Sequence, residues 1–221
     1  GEYELPAFQR SAAENAPTVY LSTGVHGDEP AGPMAVLDLL RNKRFPDNLN
    51  LFIVPIVNPF GLAQQTRTNP DGIDLNRDYG LHPQSKEVAA HQTWLNKRRF
   101  DLSICLHEDY ESKGAYLYEL KPESAPSVSQ DVLKAMEPLV GIDRSEEIDG
   151  FPANNGVMCP PLSRLESYRD QAPEAVYLYL NHSSWSITLE TPSQANIVRR
   201  IEAQTAAILK LLSLAAEGAF H

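Results

Sequence analysis

Two cysteines in 221 residues are too few for a disulfide-stapled scaffold, and neither Cys105, in an apolar run, nor Cys159, before Pro160, stands in a CxxC or Cys–His array. Both read as packing thiols in a chain from a reducing compartment. Long apolar runs are also missing: nothing approaches the ~18 residues that a membrane-spanning helix needs. No basic segment followed by an apolar one opens the chain. Gly1 rather than Met stands first, which leaves a removed leader open, and the cytoplasm is the compartment expected. Basic residues are scarce as well. Nineteen Lys and Arg against 29 Asp and Glu give a formal net charge of -10, which argues against nucleic acid or an anionic membrane surface as the main partner.

What is present is an apolar fraction of 42%, enough over this length for one sizeable core and a single catalytic domain over residues 1–221. Thr18 to Gly24 (TVYLSTG) and Leu51 to Val57 (LFIVPIV) are short and apolar and end in turn chemistry, as buried strands do. Between them Pro30 to Arg44, with Met34, Leu37 and Leu40 and a basic end before Pro46, predicts a helix. The alternation continues. Gln84 to Arg99 predicts a helix, Asp101 to Leu106 (DLSICL) and Ala115 to Leu120 (AYLYEL) predict strands, and Val128 to Leu139 a helix. Ser186 to Thr191 (SITLET) reads as the last strand, and the final helix, from Ser193 to about Leu214, carries Ile197, Ile201, Ile208 and Leu212. Lys121 to Asp170, rich in Pro, Gly and acidic residues, is otherwise read as loops around a site. The expected class is α/β, with a mixed, mostly parallel sheet flanked by helices and ligands collecting at the carboxyl ends of strands.

The chemistry concentrates at those ends. Val25-His26-Gly27-Asp28-Glu29-Pro30 supplies an imidazole and a carboxylate three residues apart just after the first buried strand, and His107 follows the DLSICL strand. Two His and one Glu around an open fourth position are the donor set of catalytic zinc. HxxE alone is a weak signal, and a lone strand-end histidine more often makes a hydrogen bond; three such residues at strand ends are a stronger joint one. Downstream, Arg67, Asn76 and Arg77 stand within one block, RTNPDGIDLNRDY. Its bland reading is a polar loop with an Asp-Gly turn. Its functional reading is that two arginines and an asparagine nine or ten positions apart can flank one anionic group and one developing oxyanion.

HxxE, then RxN and DLNR, then a strand-end His and a late TLE resemble the zinc metallocarboxypeptidases, the relatives of carboxypeptidase A, over about three quarters of the chain from His26 to Glu190. The resemblance implies a carboxypeptidase-like fold with one zinc ion held by His26, Glu29 and His107. It further implies that Asp74 orients the first histidine, Arg67 steadies the oxyanion, Asn76 and Arg77 grip a substrate carboxylate, and Glu190 activates the attacking water. Without the other motifs, Glu190 would read as a surface residue at a strand end. The HGDE spelling and the compact length look more like the murein peptide amidases and the aspartoacylase and succinylglutamate desuccinylase branch than like digestive enzymes.

The expected activity is thus hydrolysis of an amide bond beside a free carboxylate, releasing a C-terminal residue from a small peptide. A murein peptide amidase and a deacylase acting on an N-acyl amino acid share the mechanism. A metal-binding or sensing protein on the same fold is the rival, disfavoured by Glu190 and Arg67, which metal retention alone does not require. Tyr168 is the nearest candidate for a tyrosine covering substrate, while Tyr177 and Tyr179 read as packing residues. The acidic run Glu108-Asp109-Tyr110-Glu111 reads as a solvated loop, with a cleft-facing Glu108 or Asp109, meeting a substrate amine or a second metal, as the sharper alternative. His82, His91, His182 and His221 lack ligand spacing, and the oligomeric state is not written in the sequence.

Overall fold

A computed structural model describes residues 4–168 and 171–220. In chain order the strands and helices are β1 (Phe8–Arg10), β2 (Thr18–Thr23), α1 (Ala31–Arg41), β3 (Asn50–Val54), α2 (Pro59–Gln64), α3 (Lys86–Leu95), β4 (Leu102–Asp109), β5 (Tyr116–Leu120), α4 (Ser129–Val140), β6 (Glu147–Ile148), β7 (Phe151–Pro152), β8 (Val157–Met158), α5 (Glu174–Asn181), β9 (Ser186–Pro192) and α6 (Ile197–Ala216). Seven strands form one sheet in the order β1-β3-β2-β4-β9-β5-β8, parallel except where β1 meets β3 and β5 meets β9. The expected α/β architecture, a mostly parallel mixed sheet between helices, is therefore present. No helix among the described residues is long and apolar enough to cross a membrane.

β4 and β9 are central and nearly fully buried, which is why their sequences run apolar rather than alternating. One sheet face, carrying Leu21, Ile104, Leu106, Ile187 and Leu189, packs on Val36 and Leu39 of α1, Val132 and Met136 of α4 and Ile208 and Leu211 of α6. The other, carrying Tyr20 and Cys105, packs on Val88 and Leu95 of α3 and Val176 and Leu178 of α5.

Several expectations need correction. Met34 and Leu37 of α1 are exposed; the buried stripe is Ala31, Gly32, Ala35, Val36 and Leu39. Small residues face inward because the helix lies so close to the sheet and α6 that a Cβ at Gly32 would stand 3.1 Å from Thr23, Leu106 and Gln204. Cys159 is exposed, not a packing thiol, whereas Cys105 is buried as expected. The stretch from Lys121, read as mostly loop, holds besides α4 the β6–β7 hairpin, the edge strand β8 and a 3₁₀ segment over Leu162–Tyr168; residues 169, 170 and His221 lie outside the described residues. Periodicity missed the hairpin because two-residue strands carry none.

Leu189 is fully buried against the α6 side, whereas its neighbour Glu190 lies on the opposite face. Leu189→Ala is expected to cost about 2–5 kcal/mol in urea unfolding while leaving metal stoichiometry unchanged in the folded protein. A loss below about 0.5 kcal/mol would show that this face is not the core.

Candidate active site

The first buried strand delivers its histidine by a turn that demands glycine. Gly24 leaves β2 at φ +62°, and Gly27 lies so close to Gly61 of α2 that a Cβ there would stand 1.8 Å from its carbonyl carbon. The N–H of Gly27 donates to Thr66 O at 3.0 Å. His26 and Glu29 are thereby pinned between α2 and the start of α1.

His107 arrives on β4 itself rather than after it, directly beside Glu190 of β9 in the parallel register, with Tyr116 of β5 on the other flank of Glu190. Lateral neighbours share a face, so the three side chains line one wall. His26, Glu29 and His107 each present a ligand atom within 4.8 Å of the others, all three residues being buried. Nδ1 of His26 lies 2.6 Å from one oxygen of Glu29, and Nδ1 of His107 lies 2.9 Å from the other.

Nε2 of His26 lies 3.0 Å from Asp74, whose carboxylate is held by Asn76 N–H at 2.9 Å and by Arg67 Nε at 3.1 Å. Asp74 thus accepts a hydrogen bond from Nε2–H of His26, and in the neutral ring that leaves a lone pair at Nδ1. A lone pair 2.6 Å from a carboxylate oxygen is repulsive unless a proton or a metal cation lies with them. The donor set therefore fits a divalent ion with imidazole and carboxylate ligands.

The electrostatics agree. Burial works against ionisation of Glu29, but the imidazoles of His107 and His26 outweigh it and hold the carboxyl at about 2. Burial also disfavours the charged ring of His26; hydrogen bonds to Asp74 and Glu29 outweigh it and raise the group to about 8. Asp74 is held well below the carboxylate range, its desolvation overcome by His26, Arg67 and Arg77. Glu190 is pushed far upward by burial, then by Glu29 and Asp109, and its Oε2 is buried with no hydrogen-bond partner among the described residues.

Arg67 reaches Asp74 at 3.1 Å and Glu29 at 3.8 Å and is about half exposed, at the rim of the cluster. Asn76 sits in the 3₁₀ turn Leu75–Arg77, and Arg77 is exposed, its guanidinium donating to the carbonyl of Asn76 at 2.8 Å. Sequence reasoning thus named residues that the fold does bring together. In the acidic run Tyr110 and Glu111 are exposed, as a solvated loop requires, but Glu108 departs from that expectation. Glu108 is buried, accepting from Ala31 N–H at 2.8 Å and paired with Arg200 of α6, so it faces neither solvent nor cleft. Asp109 ends β4 and accepts from the Tyr116 hydroxyl at 3.0 Å. Tyr168 packs on the α3–α5 side.

Other contributors were missed. Gln204 of α6 donates to His107 O at 2.9 Å and to the Thr191 hydroxyl at 2.8 Å, bracing both central strands from behind. Tyr118 donates to Asp149 at the tip of the β6–β7 hairpin at 2.6 Å. The i, i+2 spacing of Tyr116 and Tyr118 was a readable signal that both share the face of Glu190; nothing local marked Gln204.

Comparison with known proteins gives the chain's family and its fold relatives. The sequence model of the succinylglutamate desuccinylase/aspartoacylase catalytic domain matches residues 15–146. A segment of 103 residues is 35% identical to carboxypeptidase SOL1 of Arabidopsis thaliana, a match covering 38% of this chain and only 21% of that protein. A proposed metallopeptidase from Shewanella baltica superposes over 97% of this chain and 82% of its own with a TM-score of 0.82 and 26% identity. A metallo-carboxypeptidase from Burkholderia cenocepacia (TM-score 0.66, 18% identity, 97% of this chain and 61% of that one) and the cell shape determinant Csd4 of Helicobacter pylori (0.66, 14%, 95% and 55%) share the fold.

His26, raised from 6.5 to about 8, contributes stability that is complete below pH 6.5 and is lost as pH rises through about 8. Metal-free protein is therefore expected to lose about 2 kcal/mol across that window in chemical denaturation. His26→Ala should flatten the profile, and an unchanged slope in the variant would assign the titration elsewhere.

Proposed function

The chain belongs to the family of succinylglutamate desuccinylase/aspartoacylase catalytic domains, and from that premise we propose that it is a zinc-dependent hydrolase of an amide bond beside a free carboxylate. Its leading reaction is release of a C-terminal residue from a small peptide, as a metallocarboxypeptidase working as one catalytic domain over residues 1–221. The reading is carried by one observation: His26, Glu29 and His107 converge within 4.8 Å beside Glu190, whose buried Oε2 has no hydrogen-bond partner among the described residues.

Zinc held by those three residues would polarise the scissile carbonyl and lower the pKa of a water from about 16 to about 7. The chain's own groups then have defined tasks. Glu190 takes a proton from the attacking water at Oε2; the raised affinity of a buried carboxylate suits it to that step. As the new C–O bond forms and the C–N bond breaks, the same oxygen returns the proton to the leaving nitrogen. Arg67, at the rim beside Glu29, stabilises the negative charge that grows on the carbonyl oxygen. Asp74 keeps His26 in the tautomer that offers Nδ1. Asn76 and Arg77 hold the substrate carboxylate, which fixes which bond meets Glu190.

A second reading is favoured by the family match itself. An N-acyl amino acid presents the same carboxylate and the same amide with a simple acyl group in place of a peptide, so a deacylase needs no other residues. A purely sensing role leaves unexplained why the buried Oε2 of Glu190 has no hydrogen-bond partner among the described residues.

Glu190→Gln is expected to retain one zinc per chain and lose about 100- to 10,000-fold in turnover, whereas His107→Ala should lose the ion on dialysis. The assay is mass spectrometry of zinc-loaded protein against C-terminal peptides, murein-type γ-glutamyl peptides and N-acyl amino acids. Full activity in Glu190→Gln, or unchanged zinc content in His107→Ala, would reject the respective assignment.

A further inference from the structure

Beneath the site, on the α3–α5 side, lies a buried polar chain for which the hydrolytic scheme above has no use. The Tyr79 hydroxyl stands 2.6 Å from Nδ1 of His91, Nε2 of His91 stands 2.7 Å from the Tyr20 hydroxyl, and Tyr20 donates to Glu174 at 2.9 Å. All four residues are at most 3% exposed. They come from four parts of the fold: Tyr20 from β2, Tyr79 from the segment after the DLNR turn, His91 from α3 and Glu174 from the first turn of α5. Burial pushes His91 down to about 3, so its ring is neutral and offers one donor and one acceptor. Only one arrangement then satisfies every group with Glu174 as carboxylate. Tyr20 donates to Glu174 and accepts from His91 Nε2–H, and His91 Nδ1 accepts from Tyr79. Satisfied buried networks of this kind hold their elements in a single arrangement.

What that arrangement fixes is visible at the other end of Glu174. Its backbone N–H donates to Oδ1 of Asn76 at 2.8 Å, and the N–H of Tyr79 donates to Ala172 O at 3.2 Å, so the DLNR turn is clasped to the start of α5 at two points. An N–H can meet only the oxygen of a side-chain amide, since amide nitrogen would oppose donor to donor. The Asn76 amide is therefore not free to flip. Its nitrogen, which has no hydrogen-bond partner among the described residues, is left presenting N–H donors alone.

We propose that the Tyr79–His91–Tyr20–Glu174 chain is a positioning device for Asn76: it seats the first turn of α5 so that Glu174 N–H captures Oδ1 and commits the amide to donating towards a substrate carboxylate. The inference rests on the carboxylate-docking role proposed above and deepens it, because an amide locked in this sense offers donors only and so favours a carboxylate, with two acceptor oxygens, over a carboxamide, which has one acceptor and one donor group. Glu174 and Tyr20 touch neither substrate nor metal; they act through Asn76.

The test is NMR titration of zinc-loaded protein carrying Glu190→Gln, with N-acetylglycine and its carboxamide as probes, following shifts at the Asn76 side-chain amide and in the site. The parent should bind the carboxylate at least about tenfold tighter than the carboxamide, and Asn76→Ala should lower that preference. Glu174→Ala and Tyr20→Phe should lower it about three- to tenfold, with no further loss when either is combined with Asn76→Ala and with one zinc per chain retained. Tyr20→Phe keeps ring volume and carries the test if Glu174→Ala does not fold. An undiminished preference in Glu174→Ala and Tyr20→Phe, while Asn76→Ala loses it, overturns the positioning role and leaves carboxylate docking intact. Equal binding of both probes by the parent overturns the docking role and the inference with it.

Discussion

A buried carboxylate shared between two imidazoles governs this molecule. Glu29 places one oxygen on each of His26 and His107 while Asp74 claims the outer ring nitrogen of His26. Burying a carboxylate costs several kcal/mol unless positive charge meets it, and protonated rings or a divalent ion are the two ways to supply that charge. The residue pattern favours the ion. Asp74 accepts from the one N–H a neutral His26 has to offer, and Arg67 stands at the rim rather than between the ligands.

The rest of the fold holds that arrangement from two sides. From the α6 side, Gln204 and Arg200 bond to His107 O and to Glu108, tying the ligand-bearing strand to the long C-terminal helix. From the opposite side, α3 and α5 carry the buried tyrosine–histidine–glutamate chain that reaches Asn76. The parallel register of β4 and β9 sets Glu190 beside His107 without any loop in between. Polar chemistry is thus mounted on the central, buried strands of the sheet, whose side chains are held by close packing.

Much of this was legible in the letters. Gly24, Gly27 and the HxxE spacing announced a strand-end corner, because short motifs encode chemistry that local backbone geometry delivers, whereas Asp74 as the partner of His26 was implied only by the family resemblance that the DLNR block carries. Glu108 was not legible: its neutralising partner, Arg200, lies 92 residues away, and an acidic run reads as solvated when no partner is in view. Met34 and Leu37 misled for a related reason, since apolar residues mark a helix face but Ala and Gly decide how closely it can approach a sheet. The buried chain through His91 joins four separated segments, and no window along the sequence contains it.

Zinc K-edge X-ray absorption of the protein loaded with one equivalent of zinc tests the central claim most directly. The account predicts two imidazole nitrogens at about 2.0–2.1 Å and light oxygen scatterers at about 2.0–2.2 Å, from Glu29 and solvent, with no sulfur. A shell containing sulfur, a shell without imidazole, or zinc that washes away from the folded protein would contradict it.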